Sequence, residues 1–197
     1  MKKLFTILLI LAATSFVANA QSAKKTAAKK TPKTTCAFSQ GNNVVGASIG
    51  FGLPGALIGL SYERGFENDL FGVSGLNLGA GAVGGFYSYA NSSSNNGVTV
   101  NTSSSVINIM LRGALHYQFV KNLDTYVALN VGASHVEAAS EGSSHGYSTG
   151  GSTSNTGFGG GLLVGARYYF LPYLGAGAEF GFGSAVAGAN LCVFFKF

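Results

Sequence analysis

Between residues 107 and 119 apolar and polar side chains alternate. Ile107, Ile109, Leu111, Gly113, Leu115, Tyr117 and Phe119 fall on one face, and Asn108, Met110, Arg112, Ala114, His116 and Gln118 on the other. A period of two is that of a β-strand and not of a helix. The same alternation places Val127, Leu129, Val131 and Ala133 opposite Ala128, Asn130, Gly132 and Ser134. It places Leu162, Val164, Ala166, Tyr168 and Phe170 opposite Gly161, Leu163, Gly165, Arg167 and Tyr169. From Leu174 the apolar face is Leu174, Ala176, Ala178, Phe180 and Phe182, backed by Gly175, Gly177, Glu179, Gly181 and Gly183. The final segment sets Ala189, Leu191, Val193, Phe195 and Phe197 against Asn190, Cys192, Phe194 and Lys196. Segments of this kind predict about eight strands, near residues 43–52, 56–66, 76–90, 106–119, 125–138, 158–170, 174–183 and 189–197.

The linkers between these segments differ in length. Two long polar stretches, Asn91 to Ser105 and Ser140 to Gly157, follow the third and fifth strands. Short ones, Val120 to Asp124 and Leu171 to Tyr173, follow the fourth and sixth, and Glu67 to Gly75 follows the second. Membrane barrels place short turns on the periplasmic side and longer loops outside. A periplasmic N-terminus therefore puts both long stretches outside, where their Ser, Asn, Gly and Thr content reads as mobile, exposed loop. The remaining outer connections, Leu53 to Gly55 and Ser184 to Gly188, are short.

Composition decides which face points out. The chain is 47% hydrophobic and only 10% charged, with 30 glycines, against about 25% charge in soluble domains. As an exterior, the Gly, Ser, Ala and Asn face would leave a soluble barrel almost uncharged, whereas as an interior its glycines admit a few large polar side chains. After the N-terminal segment no run approaches the length of a membrane-spanning helix. Lipid supplies no hydrogen bonds to the backbone, so a sheet crosses it only as a closed barrel. The expected fold is all-β, an antiparallel up-and-down transmembrane barrel of about eight strands.

The first 20 residues, with Met1-Lys2-Lys3, an apolar run from Leu4 to Val17 and Ala18-Asn19-Ala20, have the layout of a secretory signal peptide. Cleavage there would leave about 177 residues, one domain by length. Residues 21–37 form a basic low-complexity tail carrying Lys24, Lys25, Lys29, Lys30 and Lys33, and 38–197 the barrel. These five lysines more than account for the excess of basic residues in the mature chain, where ten face seven acidic ones. Without interleaved aromatics the tail reads as a periplasmic tether and implies no nucleic-acid partner.

The segment from Gly165 through Arg167, Phe170, Pro172 and Glu179 to Gly183 resembles the penultimate hairpin of small outer-membrane barrels, the opacity-protein and OmpA/OmpX-like superfamily. Gly41 to Phe51 is similar to the first strand of such barrels from Bacteroidetes-type bacteria. The ending Phe194-Phe195-Lys196-Phe197 resembles the family's C-terminal signature, which implies that Phe195 and Phe197 are read by the barrel-assembly machinery. The resemblance implies a cell outer-membrane protein, both termini periplasmic, among lipid and lipopolysaccharide. It further implies a mostly non-enzymatic role in envelope integrity, adhesion or surface exposure.

Inside the expected barrel lie Glu63, Arg112, Arg167, Glu179 and Lys196, with Asn108, Asn130 and His116. Charges in a narrow lumen must pair or they destabilise the fold by several kcal/mol, about, so these residues are expected to form a polar network that plugs the barrel. A narrow porin-like channel for small solutes is the alternative. A lipid A-modifying enzyme is the third reading, with Ser134, His135 and Glu137 near the outer end, although Ser134 points inward by parity. No cofactor or metal is implied; His145 has no second His or Cys near it. Cys36 and Cys192 sit in an oxidising compartment, and closure brings the first and last strands together, so a disulfide between them is open.

Overall fold

A computed structural model describes residues 37–51, 56–144, 147–183 and 188–197. Eight strands run β1 (Asn43–Phe51), β2 (Ala56–Glu67), β3 (Leu76–Asn95), β4 (Val98–Val120), β5 (Leu123–Ser144), β6 (Tyr147–Tyr169), β7 (Leu174–Gly183) and β8 (Gly188–Lys196). Each pairs antiparallel with its neighbours in sequence, and β1 pairs with β8, Ala47 opposite Val193, so the sheet closes on itself. Closure leaves no edge within the barrel wall, the condition for a sheet in lipid.

Alternation along each strand sorts side chains to two environments. Outward-facing Leu60, Ile109, Leu111, Phe180 and Phe182 are exposed, Ile109 and Leu111 at 69%, whereas Arg112 between them and Leu115 is 5% exposed and Asn130 is fully buried. An apolar surface that encircles the molecule is far larger than the patches of a few hundred Å² found on soluble monomers. It is a lipid face, which settles the orientation of the sheet as apolar-out. Aromatic side chains stand at both margins of this face. Phe51, Phe86, Phe158 and Phe182 lie at one, and Tyr62, Tyr117, Phe119, Tyr168, Phe170, Tyr173, Phe195 and Phe197 at the other. From Phe158 to Tyr168 a strand tilted about 40° at about 3.3 Å per residue rises about 25 Å, the height of a membrane-barrel apolar band. The end holding Asn43 and Phe197 is here the inner end.

Strand positions follow the alternation closely except at the outer ends of β3 to β6. The stretches 91–105 and 140–157, read as mobile loops, are instead strand for nearly all their length. Ala90 pairs with Ser103, Asn95 with Val98, Ser140 with Gly151 and Ser144 with Tyr147. The ladder between β4 and β5 also continues to Val98 opposite Ser144. Four strands of 20 to 23 residues thus project beyond the barrel as one sheet, while β1, β7 and β8 have 9 or 10. At the tip of β3–β4, Asn96 (φ 51°) and Gly97 (φ 78°) form the two-residue turn whose left-handed backbone matches strand twist.

At the inner end the β4–β5 connection is also tighter than the expected Val120 to Asp124. Only Lys121 and Asn122 (φ 66°) separate the strands, so Asp124 belongs to β5 and faces in. Between β2 and β3, a short 3-10 turn at Leu70–Gly72 tucks Leu70 inside, and Asp69 Oδ1 accepts a hydrogen bond from Gly75 N at 2.8 Å.

Candidate functional site in the lumen and on the projecting sheet

The inner half of the lumen is packed with charge. Arg167, on β6, is 1% exposed and donates from Nε to Asp124 Oδ2 at 2.6 Å, with Nη1 3.5 Å from Glu63 Oε2. His116 sits between the same two carboxylates, its Nε2 against Glu63 Oε1 and its Nδ1 3.1 Å from Asp124. Phe38 stacks on His116 at 4.0 Å between ring centroids, and the guanidinium of Arg167 lies over Phe38, Tyr126 and Phe194 at 4.9, 5.0 and 5.3 Å. Phe38 is held by its backbone: Asn77 Nδ2 donates to Phe38 O at 2.6 Å, Lys196 Nζ to Ala37 O at 2.8 Å, and Ala37 N–H to Gln118 Oε1. Residues 37 and 38 therefore stopper the inner end.

A second layer lies further out. Arg112 Nη1 meets Glu179 Oε1 at 3.0 Å and Arg112 Nε donates to Asn130 Oδ1 at 3.1 Å, while Tyr126 Oη donates to Glu179 at 2.5 Å. Arg112 and Asn130 are directly opposed in the β4–β5 register, and Gly81 stands opposite both Glu63 and Arg112. Glycine supplies the room: a Cβ on Gly165 would lie 2.4 Å from the Tyr126 ring, and one on Gly79 would lie 2.4 Å from Glu63 Oε1.

Of the lumen residues singled out in the sequence, the structure brings Glu63, His116 and Arg167 into one cluster and Arg112, Asn130 and Glu179 into the next. Lys196 lies at the inner rim, its Nζ 4.3 Å from the Tyr169 ring, and Asn108 lines the outer half. Asp124, Tyr126, Asn77 and Phe38 were not among them. Asp124 makes the charges balance, three carboxylates facing Arg112, Arg167 and Lys196 around His116. Cys192 is a free, buried thiol beside Phe38, Val44 and Phe194; Cys36, its suggested disulfide partner, lies outside the described residues, as do residues 1–20, read as a signal peptide, and the five lysines read as a tail. His145 is outside them too. Phe195 and Phe197 face lipid, their ring centroids 6.0 Å apart.

On the projecting sheet the lumen-facing parity carries Tyr89, Val98, Val100 and Tyr147, and the opposite face Ser, Thr and Asn with His135, Glu137 and Glu141. His135 Nδ1 is 2.7 Å from Thr156 Oγ1 and its Nε2 is 3.5 Å from Glu137 Oε1. Ser134 faces the other way. Among the described residues no cluster of His, Cys, Asp and Glu has the arrangement of a metal site.

No family model matches the chain, and no curated protein matches it. Solved structures do. A major outer membrane protein from Thermus thermophilus superposes with a TM-score of 0.50 at 14% identity, covering 79% of this chain and 99% of that one. The N-terminal β-barrel domain of Pseudomonas aeruginosa OprF matches with a TM-score of 0.45 at 18% identity, covering 80% and 98%. Ail, the attachment invasion locus protein of Yersinia pestis, gives 0.44 at 15%, covering 80% and 99%. The first of these likenesses, together with the closed ring of β1 to β8 and its apolar exterior, places the chain in the fold of the small outer-membrane β-barrels.

Proposed function

We propose that the protein is a non-enzymatic outer-membrane barrel whose role is surface interaction, with the lumen serving as a structural plug. The observation that supports this is the projecting sheet. A barrel needed only to seal or brace the membrane has no use for strands that continue about 10 residues beyond the lipid face. Here β6 from Tyr147 to Gly159 has no partner strand on its outer side among the described residues, and it contains neither proline nor any charged residue. Unprotected edges of this kind accept extended segments of other chains through backbone hydrogen bonds. Tyr147 and Phe158 on this strand are more than 80% exposed.

The test shortens both hairpins to the barrel rim, joining Ser88 to Ser105 and Glu137 to Ser154 through Asn-Gly turns, positions already paired in register. Cells displaying the intact protein should attach to host matrix or to other cells, and the shortened form should lose attachment while keeping a folded barrel. Equal attachment by both forms rejects the proposal.

The packed inner lumen supports a plugged barrel over a porin-like channel. The Thr156, His135 and Glu137 side chains form a hydroxyl–imidazole–carboxylate line, yet Glu137 is 65% exposed and 3.5 Å from His135, a solvated contact too weak to fix the imidazole firmly as a base. Unchanged lipid acyl composition, by mass spectrometry, between membranes carrying the intact protein and H135A supports the non-enzymatic reading; a difference overturns it. In the same proposal Phe195 and Phe197 serve as the signal for assembly, and lipid and lipopolysaccharide surround the aromatic margins.

A further inference from the structure

We infer that the outer half of the lumen is a binding cup for a neutral, hydroxyl- or amide-bearing molecule of monosaccharide size. A cavity of about 270 Å³ lies above the Arg112–Glu179 layer, under the root of the projecting sheet. It is smaller than the roughly 300–1,000 Å³ pockets that take drug-sized ligands. Its floor is closed by the ion pair and by the packed cluster beneath, so a solute that enters from outside leaves the same way; the geometry is that of a receptor and not of a conduit.

The wall is constructed to keep this space open. A Cβ on Gly59 would fall 2.4 Å from Ser48 Oγ, one on Gly46 2.5 Å from Ser61 Oγ, and one on Gly85 2.8 Å from Asn108 Oδ1. Each polar side chain thus lies across a glycine of the adjoining strand, flat against the wall, and leaves the centre empty. Two groups on β5 then have nothing to bond. Asn130 is 0% exposed, its Oδ1 occupied by Arg112, while its Nδ2 has no partner, and Ser134 Oγ has none either. Both line the cavity. A buried amide N–H without an acceptor is destabilising; Asn130 Nδ2 lies just behind the cavity surface, and a ligand oxygen that draws the side chain forward removes that penalty.

Charge sets the class of ligand. Arg112 and Glu179 satisfy each other, and the other polar groups of the wall are hydroxyls and amides, so an ionic ligand would give up part of its hydration to a wall that offers it no counter-ion. Between these groups Val83, Val106 and Val136 offer apolar surface for the face of a sugar ring. This site is separate from the strand edge invoked above, and either can fail without the other.

Calorimetric titration of the folded chain in detergent micelles with glucose and N-acetylglucosamine, and with glucuronate and glucosamine as charged counterparts, tests it. Saturable binding of a neutral sugar, at least about tenfold tighter than either charged one, is expected, and S134L, which fills the cup away from the ion pairs, should abolish it. As a second readout, alkylation of Cys192 by a small neutral thiol reagent in the C36S chain should slow several-fold when the bound sugar is present, because Cys192 also lines the cavity. Absence of saturable binding by both neutral sugars, meaning that the cup holds only water, overturns the inference. So does equal affinity for the charged sugars, or a sugar that binds without protecting Cys192.

Discussion

Arg112 and Glu179 show how one side chain in this lumen depends on another. Removing the guanidinium alone, in R112M, strands the Glu179 carboxylate at 6% exposure with only the Tyr126 hydroxyl as partner. Losses on breaking a buried pair are about 3–5 kcal/mol, so urea unfolding of the micelle-bound barrel should shift by that order for R112M and by clearly less for R112M/E179Q. Equal shifts would mean that the pair contributes through shape alone. The outer surface follows the opposite rule. L111R, at the middle of the lipid face, should destabilise by about 2–4 kcal/mol, whereas E141R on the projecting sheet should leave the same unfolding curve unchanged. The alternation was enough to place Arg112, Asn130, Arg167 and Glu179 on the inner face. It could not reveal Asp124, whose position inside depends on a turn of two residues instead of five, or Phe38, which reads as the end of a tail until Asn77, Lys196 and Gln118 are seen to hold its backbone.

Among the strands, β1, β2, β7 and β8 begin and end within a residue or so of where the hydrophobic alternation begins and ends. The four long strands do not, for a physical reason. Beyond the lipid face an outward residue no longer has to be apolar, so the pattern that marks a strand fades at Ser88 and Ser105 although the ladder of backbone hydrogen bonds continues. Ser, Thr, Asn and Gly serve equally in a loop and in a solvated antiparallel sheet, and the pairing of Val98 with both Asn95 and Ser144 is a relation between strands. Because the barrel closes through the β1–β8 contact and not through the sheet, removal of the hairpin tops is expected to leave a barrel that still migrates differently in boiled and unboiled samples on a gel. Loss of that shift would show that the projecting sheet contributes to closure.

For the molecule as a whole, the stopper at Phe38 and the two ion-paired layers predict that the protein in planar bilayers carries no steady ion current; a stable single-channel conductance would restore the channel reading. The role proposed for the last residue belongs to a different stage, assembly. In the folded barrel Phe197 packs near Phe195 on the lipid face, and its backbone exchanges hydrogen bonds with Asn43 at 2.9 Å in each direction. F197S should therefore reduce the amount of protein reaching the outer membrane several-fold while the refolded chain unfolds almost as the parent does. Equal yields would remove the assembly role assigned to the C-terminus.

Period-two alternation, scarcity of charge and the lack of a long apolar run determine that the chain is a sheet, that the sheet must close, and that its apolar side faces lipid. These follow from local side-chain chemistry and from the inability of lipid to hydrogen-bond a backbone, so each is present in the order of residues alone. Which lumen charges meet, how far β3 to β6 run past the membrane, that residues 37 and 38 return into the barrel, and that a cup remains open above Arg112 are set by register between strands and by contacts across the ring. Those relations join positions as distant as Glu63 and Arg167, and they exist only once closure has brought every strand to its neighbour.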